Sequence, residues 1–448
     1  MILEAAIAQV VLKLAALRIA IVDEQTNKPM FVRVPSIKLS HHLEWLRLSS
    51  RGSEEYEEAL LKVISNQHLQ LWPDIDRQPP WKVIAVEDDT KQADQLTLDI
   101  IFATHHSICD GTSTAVFHIC LLESLNFGST EMPGLQDGIL HLPGPVDLLP
   151  AQEDLIKFTV SWSFLLRTLW EELAPSWLRG QPPVVPWTSN TVSFEPHQLQ
   201  LRLITLAETT VSKLLAACRI HNTTLTPLIH AMILTSLAQR LTQSEASKFA
   251  SQTPIGLRQY ATLPPGCEVD LSKELVDLCT SQRHEFGLDT VAEIRRLTEQ
   301  DTTESDDAVW KIAADLRVSM KTRLDTLPRD DMVSLLAWLP NLHQWFLAKQ
   351  GKARSESWEV SNLGAFAGTN TATSCRIERS IFSQFAAICG AAFTANVAGI
   401  HGGPVTISFT WQDSVTDMLL MDHLVSDLRK WFTHFGQTGR FGFFTNAS

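Results

Sequence analysis

A mixed α/β fold built from two lobes is what this 448-residue sequence predicts, and three features predict it. The chain is much longer than one ordinary core supports, so two bodies of roughly 150 to 250 residues each are the natural division. Segments with helical spacing of apolar residues alternate along the length with segments of strand-like character. A stretch dense in Pro and turn residues, residues 179–196 (RGQPPVVPWTSNTVSFEP), breaks helix and sheet alike between them. The expected division is a first lobe over 1–180, a linker over 181–198 and a second lobe over 199–448, each lobe a mixed sheet flanked by helices.

Leu3 to Leu17 has apolar residues at helical spacing, and RIAIVD from Arg18 to Asp23 reads as a strand before the turn-like stretch Glu24 to Lys28. Glu54 to Leu71 is a second helical segment; the Trp72-Pro73 and Pro79-Pro80 pairs then release a strand over Trp81 to Val86. Gln95 to Thr104 (QLTLDIIFAT) is a strong strand that ends in a polar turn, with a helix over Thr112 to Leu125. In the second half a strand over Leu199 to Thr205 precedes a helix over Glu208 to His221. A further helix follows, with Thr226 as N-cap and Pro227 in the first turn, running to Leu241. Thr253 to Arg258, Ser357 to Val360, Gln384 to Ala395 and Val405 to Trp411 read as strands, and Asp413 to Phe435 as a closing amphipathic helix. Asp270 to Glu304 is polar and weakly periodic, the pattern of a surface insertion, and the acidic run from Asp301 to Asp307 reads as a solvated loop.

With 44% hydrophobic and 19% charged residues the chain folds around large cores. A formal net charge of -13, with no dense Lys/Arg cluster, excludes nucleic acid as a partner. It does not exclude a polyphosphate, which a few placed cations and helix N-termini bind locally. Seven Cys without a CxxC pair argue against a zinc site and a disulfide framework, and for a reducing, cytoplasmic location rather than a secreted one. The apolar N-terminus carries Glu4, Lys13 and Arg18 and lacks a cleavage site, so it reads as a core helix; no segment is apolar for long enough to span a membrane, although peripheral association with an internal membrane stays open. The glycosylation triplets at Asn222 and Asn446 carry no weight without an export signal. The thirteen Trp are expected in the cores.

The stretch that carries chemistry is Thr104 to Gly111, THHSICDG. Two adjacent His follow a buried strand and an Asp-Gly pair comes three residues later, a spacing expected by accident in roughly one such chain in a thousand. A strand end can present His106 to a cavity, where an imidazole with an ordinary pKa of about 6.5 serves as a base near neutral pH. Asp110 is close enough to lock the loop, through a turn or an Arg pair, and Gly111 permits a backbone angle that other residues resist. Cys109 reads as a small apolar filler rather than a nucleophile, because no basic surround lowers its pKa. Metal binding is not expected, since adjacent His point apart and no further ligand recurs nearby. The other pair, His41 and His42, has no Asp-Gly after it and reads as ordinary surface or half-buried histidine.

HHxxxDG at a strand-to-loop junction resembles the motif of the chloramphenicol-acetyltransferase-like superfamily, which includes BAHD plant acyltransferases, peptide-synthetase condensation domains and fungal alcohol acetyltransferases. ACRIHNTTLTP (217–227) with its long helix, PIGLR (254–258) and SNLG (361–364) are similar in order to the alcohol acetyltransferase and secondary-metabolite O-acyltransferase branch, and the resemblance covers most of the chain. The BAHD signature DFGWG is absent and SNLGAF stands in its region, which favours that branch. About one strand of the superfamily is missing ahead of the first helix. The resemblance implies two similar lobes with an active-site channel at their interface, His106 as catalytic base, Asp110 as the structural aspartate and Arg258 as its arginine partner, with His105 and Gly111 completing the loop. Ser361, Asn362 and Gly364 fall where a family loop faces the channel, as donor or oxyanion contacts. An exposed arginine at a strand end is common, so only the resemblance pairs Arg258 with Asp110.

The activity implied is transfer of an acyl group, acetyl by default, from acyl-CoA to the hydroxyl of a small lipophilic or secondary-metabolite alcohol, without an acyl-enzyme. No permanently bound cofactor is expected; acyl-CoA is a co-substrate. Because both lobes build the site within one chain, a monomer is expected. Two other readings stay open. One takes the acyl group from a carrier-protein phosphopantetheine, as condensation domains and polyketide-offloading acyltransferases do. The other is a non-catalytic scaffold that keeps the fold, against which an intact His106 argues.

Overall fold

The computed structural model describes residues 2–88, 97–128, 132–144, 148–173, 184–298, 303–368 and 375–443. The chain forms two compact units of interleaved segments, the first from 1–155, 261–279 and 366–378, the second from 156–260, 280–365 and 379–448. This differs from the consecutive division at 181–198. Residues 261–279 lie far along the sequence yet hydrogen-bond to the helix that follows the HHxxxDG motif, which ties them to the first unit.

In the first unit the order is α1 (Ile2–Lys13), β1 (Ile19–Val22), β2 (Met30–Arg33), β3 (Ser36–Lys38), α2 (Leu39–His42), β4 (Leu43–Leu48), α3 (Ser53–His68), β5 (Trp81–Asp88), β6 (Leu98–Thr104), α4 (Gly111–Phe127), β7 (Leu135–Gln136), β8 (Ile139–His141) and α5 (Gln152–Leu155). α1 stops four residues before the expected end, because Leu14 turns to extended backbone and a 3-10 turn, Ala15–Arg18, leads into β1. In the sheet of order β4-β5-β6, β5 runs parallel to β4 and antiparallel to β6. Val83, Ile84, Ala85 and Val86 of β5 are all buried, so this central strand is covered on both faces. Phe102 of β6 stacks on Phe117 of α4 at 3.8 Å between ring centroids, which seats α4 against the sheet. α4 opens on Asp110 as N-cap and closes on Gly128, whose φ of 70° is the left-handed cap that glycine favours.

The second unit contains α6 (Trp162–Leu173), β9 (Leu199–Leu206), α7 (Glu208–Ile220), α8 (Leu225–Arg240), β10 (Phe249–Gly256), β11 (Cys279–Phe286), α9 (Leu288–Thr298), α10 (Thr303–Thr326), α11 (Val333–Leu336), α12 (Leu342–Leu347), β12 (Trp358–Phe366), β13 (Phe393–Ile400), β14 (Val405–Gln412) and α13 (Met418–Thr438). Its six-stranded sheet has the order β11-β10-β12-β13-β14-β9, parallel between β10 and β12 and antiparallel from β13 to β9. Every residue of β13 and β14 is buried. α8 is buried almost all round, its His230, Thr235 and Ser236 included, as a helix in the middle of a core must be.

Several expectations shift here. The helix expected to have Thr226 as N-cap starts two residues earlier, with Thr224 at the N-cap position and no side-chain bond there; the Thr226 hydroxyl accepts from Asn362 Nδ2 at 2.9 Å, and Pro227 still falls where its missing N–H costs nothing. Residues 384–392 were expected as strand but are irregular chain; just ahead of them the Ser380 and Phe382 carbonyls accept from the Thr406 and Ser408 hydroxyls, and the strand starts at Phe393. The supposed surface insertion 270–304 supplies β11 and α9. Thr280, His284 and Phe286 of β11 face inward while Ser281, Arg283 and Glu285 face out, so the alternation is there but two of its three inward residues are polar. The acidic run is not a loop in its described part: residues 303–307 open α10, and Asp306 is buried against Arg440 at 3.3 Å. Trp81, Trp358, Trp411 and Trp431 are core residues, as expected, whereas Trp162, Trp170, Trp338 and Trp345 are exposed.

Candidate active site

The HHxxxDG stretch begins where strand pairing ends. Trp81 and Thr104 are the last pair of the β5–β6 ladder, and the His105 amide then donates to the Pro80 carbonyl at 2.9 Å, so the Pro79-Pro80 stop and the His pair are fixed together. His106–Ile108 form a 3-10 turn that leads through Cys109 to α4.

The polar side chains of the motif separate into two kinds. His105 caps the turn: its Nδ1 accepts from the Ser107 amide at 3.2 Å and lies 2.8 Å from the Ser107 hydroxyl, which puts its ring proton on Nε2. Burial lowers its pKa further, so His105 stays neutral. Asp110 is buried and accepts from the Ser113 amide (2.9 Å) and the Leu278 amide (3.4 Å), with the Ser113 hydroxyl oxygen 3.0 Å from its Oδ1. Gly111 is the first residue of α4 and has helical backbone, so the special angle expected of it is not what the position uses. Cys109 is buried, with Sγ 3.6 Å from the Thr104 hydroxyl.

His106 is different. Its side chain is about half exposed, and its Nδ1 lies 3.3 Å from Oδ2 of Asp277. The Asp277 carboxylate raises the His106 pKa to about 8, against an opposing effect of burial. Asp277 was not foreseen, since it lay in the stretch read as an insertion. It is held by its neighbours: the Val276 carbonyl accepts from the Asp110 amide (3.0 Å) and the Ser113 hydroxyl (2.8 Å), and the Val276 amide donates to Ser113 Oγ at 3.0 Å. A lone aspartate in an otherwise apolar run, Leu275-Val276-Asp277-Leu278, with all three apolar neighbours buried, was the signal that could have found it.

The other predicted residues lie in the second unit. Arg258 opens a 3-10 turn, Arg258–Tyr260, after β10. Ser361, Asn362 and Gly364, expected on a loop, lie within β12. Ser361 is buried, and both ends of the Asn362 amide are engaged, Nδ2 on Thr226 and Oδ1 on the Gly364 amide at 2.8 Å, while Gly364 has a φ of 76°. The other histidine pair is divided: His41 is exposed, and His42 is buried against Trp81 with Nδ1 on its carbonyl at 2.8 Å.

An imidazole at a strand end, flanked by a capping histidine and an N-cap aspartate, thus stands on a mixed α/β chain of two units. Residues 50–430 match the model of the alcohol acetyltransferase family. The chain is 31% identical to the probable alcohol acetyltransferase FCK4 of Fusarium pseudograminearum, over 98% of this chain and 86% of that protein. It is 22% identical to the probable alcohol acetyltransferase crmB of Aspergillus fumigatus, over 92% and 85% respectively. In fold it is similar to the TRI3 trichothecene 15-O-acetyltransferase of Fusarium sporotrichioides, with a TM-score of 0.65 at 13% identity over 98% of this chain and 86% of that one. The epimerization domain from the third module of tyrocidine synthetase B gives a TM-score of 0.55 at 12% identity, over 97% and 89%. The chain therefore belongs to the alcohol acetyltransferase family, and with it to the acyltransferase enzymes.

Proposed function

We propose that this chain transfers an acyl group, acetyl by default, from acyl-CoA to the hydroxyl of a small lipophilic alcohol, with His106 as general base. The observation that carries the reading is the division of labour within the motif. His105 and Asp110 are turned into the turn and the helix start, while His106 is half exposed with Nδ1 on a carboxylate, which leaves Nε2 for a substrate hydroxyl. In this reaction Nε2 takes the hydroxyl proton as the alcohol oxygen bonds to the thioester carbonyl carbon. The tetrahedral species then expels the CoA thiolate, and the imidazolium returns the proton to that sulfur. Atoms balance without an acyl-enzyme. Because the base works only when neutral, a pKa of about 8 leaves roughly a tenth of the enzyme competent at pH 7, and the rate rises as pH increases through 8.

The assignments of Arg258 to support of the site, and of Ser361, Asn362 and Gly364 to contact with the donor, rest on the resemblance. The names of the relatives support an alcohol acceptor and an acetyl donor, and an acetylated alcohol is an ester. The test is acceptor- and donor-resolved turnover: acetyl-CoA, longer acyl-CoAs and acyl-phosphopantetheine carrier protein, each with primary and secondary alcohols and amines, with product mass read out. Ester formation from acetyl-CoA is expected. Turnover with the carrier thioester alone would replace CoA as donor, and an amide product would replace the acceptor class.

A further inference from the structure

We infer that Asp277 is a positioning residue for His106, and that Asp110 and Ser113 act on the base through it by clamping the chain at Val276 and Leu278. The inference rests on His106 being the base and adds the carboxylate that orients and charges it. The geometry has three links. Asp277 Oδ2 faces His106 Nδ1 at 3.3 Å. Residues 276 and 278, on either side of it, are bonded to the start of α4: the Val276 carbonyl takes the Asp110 amide and the Ser113 hydroxyl, the Val276 amide gives to Ser113 Oγ, and the Leu278 amide gives to Asp110 Oδ2. The far side of the same segment is tied as well, the Cys279 amide donating to Gln152 Oε1 at 2.8 Å and its thiol lying 3.3 Å from Asp277 Oδ1.

These contacts give the motif's aspartate a second task. Asp110 Oδ1 satisfies the Ser113 amide at the N-terminus of α4, and its other oxygen holds the segment that carries Asp277, just ahead of β11. The base and its carboxylate partner are thus fixed to opposite ends of one short unit, Thr104 to Ser113, although they stand 171 residues apart in sequence. A carboxylate on Nδ1 selects the tautomer with Nε2 bare and stabilises the imidazolium formed in the transition state. The charged and titratable groups around the ring are Asp277, Asp110 and His105, with Cys279 behind Asp277. Asp110 acts weakly through space, His105 stays neutral, and His106's own backbone also favours the charged ring. Asp277's separate contribution is therefore its charge, and charge is what the test reads.

The experiment compares wild type, Asp277→Asn, Asp277→Glu and His106→Ala across pH 5.5 to 9.5 in the thiol-release assay with acetyl-CoA and an alcohol, with the His106 imidazole titrated in parallel by NMR. Asp277→Asn is expected to move both the acid limb of the activity profile and the NMR midpoint down by roughly one pH unit or more. The high-pH plateau should fall roughly ten-fold, with KM for both substrates nearly unchanged. Asp277→Glu, which keeps the charge, is expected to move the midpoint back towards wild type. An Asp277→Asn profile and midpoint that match wild type would overturn the inference while leaving the base in place, provided His106→Ala is inactive. Full activity in His106→Ala would instead overturn the base reading on which it rests. Should Asp277→Asn not fold, an Asp277→Glu midpoint equal to wild type supports the charge, and one lowered to the ordinary histidine value overturns it.

Discussion

The core of the second unit holds two histidines that stay neutral, and replacing one of them isolates its contribution to the protein's acid sensitivity. Trp358 Nε1 can only donate, and it does so to Nδ1 of the fully buried His230 at 2.9 Å. The His230 proton is therefore on Nε2 and faces Thr253 Oγ1 at 2.9 Å; His284 Nε2 lies 2.9 Å from the same hydroxyl. The other ring nitrogen of His284, Nδ1, is buried without a hydrogen-bond partner. Burial lowers both pKa values, His284 to about 4 and His230 well below its ordinary value, the latter helped by His284 itself. A base held below its unfolded value of about 6.5 contributes stability that is complete above that value and is lost as pH falls towards the folded one. At pH 5, about 1.5 below the unfolded value and still above the folded one, His284 alone has given up about 1.5 × 1.36, or about 2 kcal/mol. His284→Gln keeps a hydrogen-bond partner for Thr253 and removes the titration. Urea unfolding of wild type and His284→Gln at pH 8 and pH 5 is expected to show the wild type losing about 2 kcal/mol more than the variant. Equal losses would refute the argument that His284 is a neutral core residue.

Two other perturbations follow from packing and pairing. Asp427 is buried and takes Arg240 through two bonds (2.7 and 2.6 Å) and the Ser236 hydroxyl (2.8 Å), so Asp427→Ala should destabilise by about 3 kcal/mol in a denaturant titration at pH 7.5. A loss below about 0.5 kcal/mol would show a pair no stronger than a surface ion pair. Gly436 lets α13 approach α7: a methyl group there would meet the Thr210 side chain, so Gly436→Ala should cost about 1–3 kcal/mol, with part recovered by adding Thr210→Ala. An unchanged melting temperature in the single variant would contradict that close approach.

The parts of the fold that the sequence made legible are those whose signal is local. β5, β6 and α4 appear within a few residues of their expected limits because apolar periodicity, two Pro stops and an Asp N-cap all act within a dozen residues. The same locality put His106 at a strand end. What escaped was set by distant partners. β11 has polar inward residues because Thr253, brought from β10, satisfies His284 and because Asp331 accepts from Thr280 at 2.8 Å, so its pattern resembles an exposed loop until those partners are known. Asp306 looked solvated because Arg440, 134 residues away, was not in view. Asp277 escaped for the same reason: nothing in residues 270–280 says that Val276 and Leu278 bind the first turn of α4. The compact units are not consecutive in sequence as a Pro-rich stretch alone suggests, because the first unit takes in residues 261–279 and 366–378 through tertiary bonds such as those between Asn126 and Cys375 (2.8 and 3.1 Å).

The central claim is that His106 removes the proton from an acceptor hydroxyl. Its most direct test is alcohol-dependent thiol release from acetyl-CoA, followed with a free-thiol dye at pH 8.5, in wild type and in His106→Ala. A fall of roughly 10²- to 10⁴-fold in kcat with the folded structure retained is the predicted result. Alcohol-dependent release that survives in His106→Ala at the wild-type rate would contradict it.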